Sequence, residues 1–152
     1  MRRDPKAEGL RWLEQAEADR KGGQLLLEGG SDHLACFIAQ QVAEKALKAF
    51  LYAQGEEIVT GHSVEALCRW AAEYDPEFEA LRPEVAPLDG HYLPARYPIS
   101  VPDSIPARIY NRAIAVEALQ MADRALSWCV ANFAKTSKPY GGSSRFGGEK
   151  EA

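Results

Sequence analysis

The sequence predicts an all-α protein, folded as an up-and-down bundle of about five helices. Apolar residues recur at helical spacing along most of the chain, and no stretch alternates convincingly like a strand. The 152 residues suffice for one domain with its own core. A hydrophobic content of 46% with 26% charged residues is typical of a globular protein. We expect the bundle to occupy residues 5–134.

The first helix should begin near Pro5 or Lys6 and run toward Glu28, where Gly29-Gly30 provides a stop signal. Its stripe contains Trp12, Leu13, Ala16, Asp19 and Leu26. The pair Gly22-Gly23 lies inside this helix and costs about 2 kcal/mol relative to two alanines. The pair therefore predicts either a kink or the close approach of another backbone.

The second helix should start at Ser31 or Asp32, which are both good N-cap residues, and end before Gly55. Apolar residues cover most of its circumference, which is typical of a central helix packed on several sides. The polar exceptions share one narrow stripe: Gln40, Gln41, Glu44, Lys45 and Lys48. We expect this stripe to face solvent, a groove or a buried partner.

Two short helices should follow. The third is expected to start at a His62 or Ser63 cap. The fourth is expected to have Asp75 as its cap and Pro76 at its first helical position, and Pro83 should bend or interrupt it.

The last helix should start near Ser104 or Pro106 and reach about Phe133. Its predicted buried side contains Ile109, Ala113, Val116, Leu119 or Gln120, Ala122, Leu126, Val130 and Phe133.

The net charge of −4 is unevenly distributed along the chain. Four basic and two acidic residues from Lys135 onward give +2, which leaves −6 on the preceding residues. An acidic body argues against broad duplex binding, so RNA is a possible but unsupported partner. We expect residues 135–152, rich in Gly, Ser and Lys, to be disordered.

We expect a cytoplasmic protein with no membrane partner. No apolar run approaches the length of a membrane span, and the first residues do not resemble a signal peptide. The three cysteines are odd in number and far apart, which favours buried, reduced thiols.

Cofactor and metal motifs are weak or absent in the sequence. His33 and Cys36 lie one helical turn apart, but no second ligand pair accompanies them, and structural zinc needs about four ligands. No phosphate loop or dinucleotide fingerprint is present. We therefore predict no metal and no cofactor.

The segment "DGHYLPARYPISVPDS" (Asp89–Ser104) is the most informative stretch. Its prolines restrict the backbone, so side chains on it lose little entropy when they bind. Tyr92 and Tyr97 can bury ring area and keep a hydroxyl for hydrogen bonding, and Arg96 offers a planar fork for carboxylate or phosphate. The alternative is a structural strap in which Arg96 pairs with a carboxylate such as Glu44.

Three segments together resemble the HEPN domain family: "FIAQQVAEKALKAFL" (Phe37–Leu51), "GHSVEAL" (Gly61–Leu67) and "YLPARYP" (Tyr92–Pro98). The resemblance extends from about Leu10 to Phe133. It implies a helical bundle that commonly dimerises. Many members form a complex with a small nucleotidyltransferase, often as toxin and antitoxin. Others are ribonucleases with an arginine and a histidine, separated by four to six residues, on the last helix.

That ribonuclease motif is missing here, since no histidine follows His91. Without an imidazole on the last helix, the family's RNA cleavage has no proton carrier at the expected place. The resemblance then points to the RYP-type class and to a protein that is more likely a binding module than an enzyme. We predict no catalytic residues.

The predicted nucleotide- or partner-binding residues combine cations with rings that can stack on a base. They are Gln41, Lys45, Lys48, His62, Tyr92, Arg96 and Tyr97. We expect a homodimer or higher homo-oligomer, with a small nucleotidyltransferase and a nucleotide as further partners. Two alternatives stay open: a ribonuclease with a displaced set (His62 or His91 with Arg96), and a purely structural oligomeric adaptor.

Overall fold

The computed structural model describes residues 3–133, and this part of the chain contains helices and no strand. The helices are α1 (Pro5–Glu28), α2 (Asp32–Ala53), α3 (Val64–Ala72), α4 (Phe78–Val85), α5 (Pro106–Ile109) and α6 (Arg112–Phe133). Two 3-10 turns, Ala86–His91 and Pro98–Ser100, lie between α4 and α5. The all-α bundle is confirmed. The predicted disordered tail, residues 135–152, lies outside the described residues.

Helix α2 is the centre of the bundle, as its nearly continuous apolar surface predicts. It packs most extensively against α1 and α6, and it also contacts α3, α5 and the first 3-10 turn. Fully buried alanines such as Ala39, Ala43 and Ala46 leave room for the neighbouring helices to approach.

Close approach, one of the two alternatives for the glycine pair in α1, is found at Gly23. A Cβ added there would lie 2.9 Å from Cδ2 of Leu119 and 3.3 Å from Cγ2 of Ile38, whereas one at Gly22 would meet nothing within 4 Å. Neighbouring side chains, and not a backbone, make this approach. The backbone contact occurs instead at Gly9, where a Cβ would lie 2.7 Å from the Ala49 carbonyl oxygen.

Helix α3 begins as predicted, because the hydroxyl of Ser63 accepts a hydrogen bond from the Ala66 amide at 3.0 Å. Helix α4 begins at Phe78, two residues later than predicted. The Asp75 carboxylate accepts from the Glu77 amide at 3.1 Å and holds these residues in a turn. Pro83 lies inside α4, which continues to Val85.

The prediction of one continuous last helix is wrong. Tyr110 is extended, with ψ of 134°, and it separates α5 from α6. The side chain of Asn111 then accepts from the Ile114 amide at 2.9 Å and caps the start of α6. The break also shifts the buried face, so that Ile109, Ala113 and Val130 are exposed. The residues that α6 buries include Ala115, Ala118, Leu119, Ala122, Ala125, Cys129 and Phe133.

Candidate functional site

Residues 92–109, called here the connector, run from the first 3-10 turn toward α6; Ala95 and Pro106 are buried against the bundle, and most of the other residues are exposed. At its start, the Asp89 carboxylate accepts from the Ser63 hydroxyl at 2.7 Å and from the Val64 amide at 2.5 Å, which ties the chain to the start of α3. At its end, the Tyr110 ring packs edge-on against His91 with 5.4 Å between ring centroids. Both ends of the connector are therefore anchored.

Arg96 is held on the connector by rings and by one carbonyl. Its Nε donates to the Tyr92 carbonyl at 2.7 Å. The guanidinium carbon lies 4.2 Å from the ring centroid of Phe37, 4.6 Å from that of Tyr92 and 5.1 Å from that of Tyr97. Phe37 belongs to α2, so Arg96 lies against this helix.

Arg96 has no carboxylate partner among residues 3–133. The alternative in which it pairs with Glu44 is therefore wrong, because Glu44 is occupied by other groups. Cation–π contacts hold the guanidinium in place without neutralising it. Its terminal nitrogens keep their capacity to donate to an anion.

The polar stripe of α2 converges on Glu44. The carboxylate of Glu44 lies 3.0 Å from Nζ of Lys48 and 3.2 Å from Nδ1 of His62, and it accepts from the amide nitrogens of Gln40 at 3.0 Å and Gln41 at 3.4 Å. Glu44 and Lys48 are both buried. Glu44 thus pairs mainly with other members of the stripe, and its contact outside α2 is His62, whose side chain is 56% exposed.

Lys45 points away from this cluster, toward α1. Its ammonium group pairs with the Asp19 carboxylate. It lines a cavity of about 260 Å³ together with Arg11, Trp12 and Gln15. Lys45 and Lys48 therefore serve different surfaces, and each has an acidic partner within the bundle.

His62 connects the two clusters. Its ring stacks on Tyr92 with centroids 4.6 Å apart and an interplanar angle of 17°. Its Nδ1 faces Glu44, and its side chain is 56% exposed. An ionised carboxylate can only accept, so Nδ1 is the donor in this contact when Glu44 is ionised.

Six of the seven predicted residues thus belong to one continuous network of contacts, and Lys45 is the exception. The network also includes three residues that were not assigned to the site: Phe37, Gln40 and Glu44. All three lie on α2 within two turns of Gln41, so helical spacing pointed to them. Phe37 was assigned only to the apolar surface, because spacing does not show which neighbour covers a ring.

The buried titratable groups near the bundle axis are poorly suited to nucleophilic chemistry. Burial raises the pKa of Cys36 and of Cys68 to about 12, and it raises that of Cys129 well above its usual value. The three thiols are free, buried and protonated at neutral pH. Burial also lowers the pKa of His91, and nearby Glu117 opposes this shift.

Two searches of the described range concern metal-holding groups and membrane-spanning helices. Residues 3–133 contain no group of three or more His, Cys, Asp or Glu side chains that can hold a metal ion. In the same range no helix has the length and apolarity needed to cross a bilayer.

Comparison with known proteins gives a consistent result. The family model described as "HEPN domain" matches residues 10–133. TT1696 from Thermus thermophilus has a crystal structure that is similar with a TM-score of 0.72 and 37% identity, over 82% of this chain and 97% of that one. ST0689, an archaeal HEPN homologue, is similar with a TM-score of 0.68 and 32% identity, over 83% and 98% of the two chains. A search of curated proteins found no match. A family match over most of the chain, supported by two solved structures of the same fold, shows that this protein belongs to the HEPN domain family.

Proposed function

We propose that this chain is a non-catalytic HEPN binding module whose Arg96 cluster receives the phosphate group of a nucleotide. The observation that carries the proposal is a fixed guanidinium that no carboxylate of residues 3–133 neutralises. A planar fork of donors matches the oxygens of a phosphate. Because Nε is already bound to the Tyr92 carbonyl, the terminal nitrogens are oriented before any ligand arrives.

The rings around Arg96 supply the second half of the proposed site. Tyr97 is 48% exposed, and any of the nucleotide bases can stack on an exposed aromatic ring. His62 is also exposed and shares the Tyr92 ring with Arg96. A phosphate on Arg96 with a base on a neighbouring ring is the arrangement that we propose.

Titration with ATP, GTP and short RNAs, followed by calorimetry, tests this site. Arg96→Ala should weaken binding of the preferred ligand by about tenfold to a hundredfold, as loss of a charged hydrogen-bonding partner requires. Arg96→Lys should lose much of the affinity too, because an ammonium cannot replace the planar fork. Arg69→Ala is the matched control, since Arg69 is an exposed arginine on α3 that pairs with Glu65.

Two results would contradict the proposal. Binding that Arg96→Ala leaves unchanged would move the site elsewhere. No binding to any of these ligands would leave the structural adaptor as the better description.

Family membership supports two further parts of the proposal: self-association and a small nucleotidyltransferase partner, in a toxin–antitoxin-like module. Sedimentation at micromolar concentration tests the first, and a strict monomer would exclude it. Co-expression with a nucleotidyltransferase encoded beside this gene tests the second. The two proteins should then purify as one complex.

A ribonuclease with a displaced catalytic set is the second candidate, and one observation favours it. The ring of His62 is more than half exposed, its Nδ1 contacts Glu44, and the Tyr92 ring on which it stacks also contacts Arg96. RNA incubated with the protein and a chelator decides between the candidates. Cleavage that His62→Ala abolishes and Asp19→Ala preserves would establish the enzyme, and no cleavage would support the binding module.

A further inference from the structure

Exposed apolar side chains concentrate on the connector. Half of the large hydrophobic residues that residues 3–133 expose lie between Leu93 and Ile109. Ile99 is 90% exposed, and Leu93, Tyr97, Ile105 and Ile109 are between 39% and 50% exposed. Because both ends of the connector meet at His91 and Tyr110, these side chains lie on one small excursion of the chain.

The same excursion carries uncompensated positive charge. Residues 92–112 contain three arginines, Arg96, Arg108 and Arg112, and a single acidic residue, Asp103, in a chain whose net charge is −4. None of these arginines pairs with a carboxylate of the described range, and Arg112 donates instead to the Leu27 carbonyl at 3.2 Å. Exposed arginines elsewhere, such as Arg11, Arg69 and Arg82, have acidic partners.

The connector is also stiff. Pro94, Pro98, Pro102 and Pro106 restrict its backbone, so little conformational freedom is lost when a partner covers it. The connector also carries Tyr97 and Arg96, and tyrosine and arginine are among the residues that most often dominate binding energy at protein interfaces.

We infer that the connector is a docking surface for a partner protein whose binding face is apolar and edged by carboxylates. The isoleucines would lie against the apolar part of that face, and Arg96 and Arg108 would meet its acidic rim. Charge complementarity favours such a partner, because residues 92–112 carry three arginines and a single acidic residue. A nucleic acid fits less well, because it offers phosphates but little apolar surface to Ile99 and Ile109.

A second copy of this chain fits less well too. In a symmetric dimer the same patch meets itself, so the arginines of one protomer would face those of the other. Only Asp103 of each copy would offset this repulsion. The inference rests on the proposed function in treating the chain as a binding module, and it shares Arg96 and Tyr97 with the proposed nucleotide site. Ile99, Ile109 and Arg108 belong to the docking surface alone.

The test uses the full chain and a fluorescent helical peptide that has leucines along one side and glutamates at both edges. A peptide with every glutamate replaced by lysine is its matched control. Anisotropy should report binding of the acidic peptide and not of the basic one, and the affinity should fall as salt is raised. Amide resonances that shift on binding should lie within residues 93–112.

Ile99→Asp and Arg108→Glu should each weaken the acidic peptide by about tenfold or more. Both side chains are exposed, so neither change should unfold the bundle. Ile58→Asp and Lys21→Glu are the controls, because they change an exposed isoleucine and an exposed cation elsewhere and should leave affinity unchanged.

The inference fails if the acidic peptide does not bind, if the basic peptide binds equally well, or if Ile58→Asp weakens binding as much as Ile99→Asp. It also fails if the wild type is a dimer in sedimentation and Ile99→Asp converts it to a monomer, since a second copy would then occupy the surface. Nucleotide binding separates the two proposals: Ile99→Asp should retain it, whereas Arg96→Ala should lose it.

Discussion

Lys48 and Arg96 lie on opposite sides of His62, yet the bundle stabilises their charges by different means. Lys48 is buried and has a carboxylate 3.0 Å away on its own helix. Arg96 is half-buried among three rings, without a carboxylate from residues 3–133. A cation that already pairs with a carboxylate of the protein gains little free energy by binding an external anion. A cation held only by aromatic rings can still bind one. The comparison supports a structural role for Lys48 and is the basis for the proposed ligand role of Arg96.

Glu44→Gln should have the largest effect on the fold. It leaves Lys48 buried without its counter-charge, and breaking a buried pair in this way costs about 3–5 kcal/mol. Urea unfolding measures the loss. The matched control is Glu65→Gln, which breaks the exposed pair with Arg69 and should cost less than about 1 kcal/mol. Equal losses in the two variants would show that the Glu44 cluster is not structural.

Arg96→Ala should cost less stability than Glu44→Gln. Cation–π contacts contribute about 0.5–2 kcal/mol, and no buried charge is left behind when the guanidinium is removed. The same urea experiment measures this loss. If Arg96→Ala destabilises the protein as much as Glu44→Gln does, Arg96 is a structural brace and the contrast between the two cations disappears.

His91, at the base of the connector, should make stability depend on pH. Burial lowers the pKa of His91 in the folded state, so the unfolded chain binds more protons just below the ordinary histidine pKa of about 6.5. Stability should therefore fall as pH falls through about 6.5 and below, and it should recover as pH rises.

His91→Phe retains a ring against Tyr110 and should flatten this pH dependence. Thermal unfolding at a series of pH values measures it. The half-buried carboxyls Glu8 and Glu65, whose pKa values are lowered by arginine partners, affect stability only at more acidic pH. An unchanged pH profile in His91→Phe would exclude His91 as the source.

Tyr110→Phe should have the smallest effect. The hydroxyl lies 3.5 Å from the Gly90 carbonyl, at the limit of a hydrogen bond, so its loss should change stability by less than about 0.5 kcal/mol. Tyr110→Ala also removes the ring from His91 and should increase tryptic cleavage at Arg96 and Arg108. Equal protease resistance in the two variants would show that the ring does not anchor the connector.

The candidate site was predictable as a set of side chains but not as a set of contacts. Helical spacing puts Lys45 and Lys48 on one stripe of α2, and the prolines mark the connector as stiff. Side chains three residues apart on a helix are offset by about 60° around the helix axis. Because of this offset, Lys45 pairs with Asp19 of α1, whereas Lys48 pairs with Glu44, which also contacts His62. Spacing alone does not specify which neighbour lies on each side.

The break between α5 and α6 shows a second limit. Apolar periodicity continued through Tyr110, so the sequence predicted one helix. The Tyr110 ring packs on His91, a residue outside the helix, and this contact coincides with an extended backbone. Asn111 is a good N-cap residue and was the available signal for a new start.

The sequence by itself determined the helical bundle, the central position of α2 and the absence of a histidine after His91, because these follow from local periodicity and composition. Tertiary structure decided which cations are neutralised and where the connector is anchored. Those outcomes depend on contacts between residues far apart in the chain, such as Lys45 with Asp19 and Arg96 with Phe37. A short-range sequence pattern shows which side chains are able to form pairs, but the partner of each one is determined only when the helices pack together.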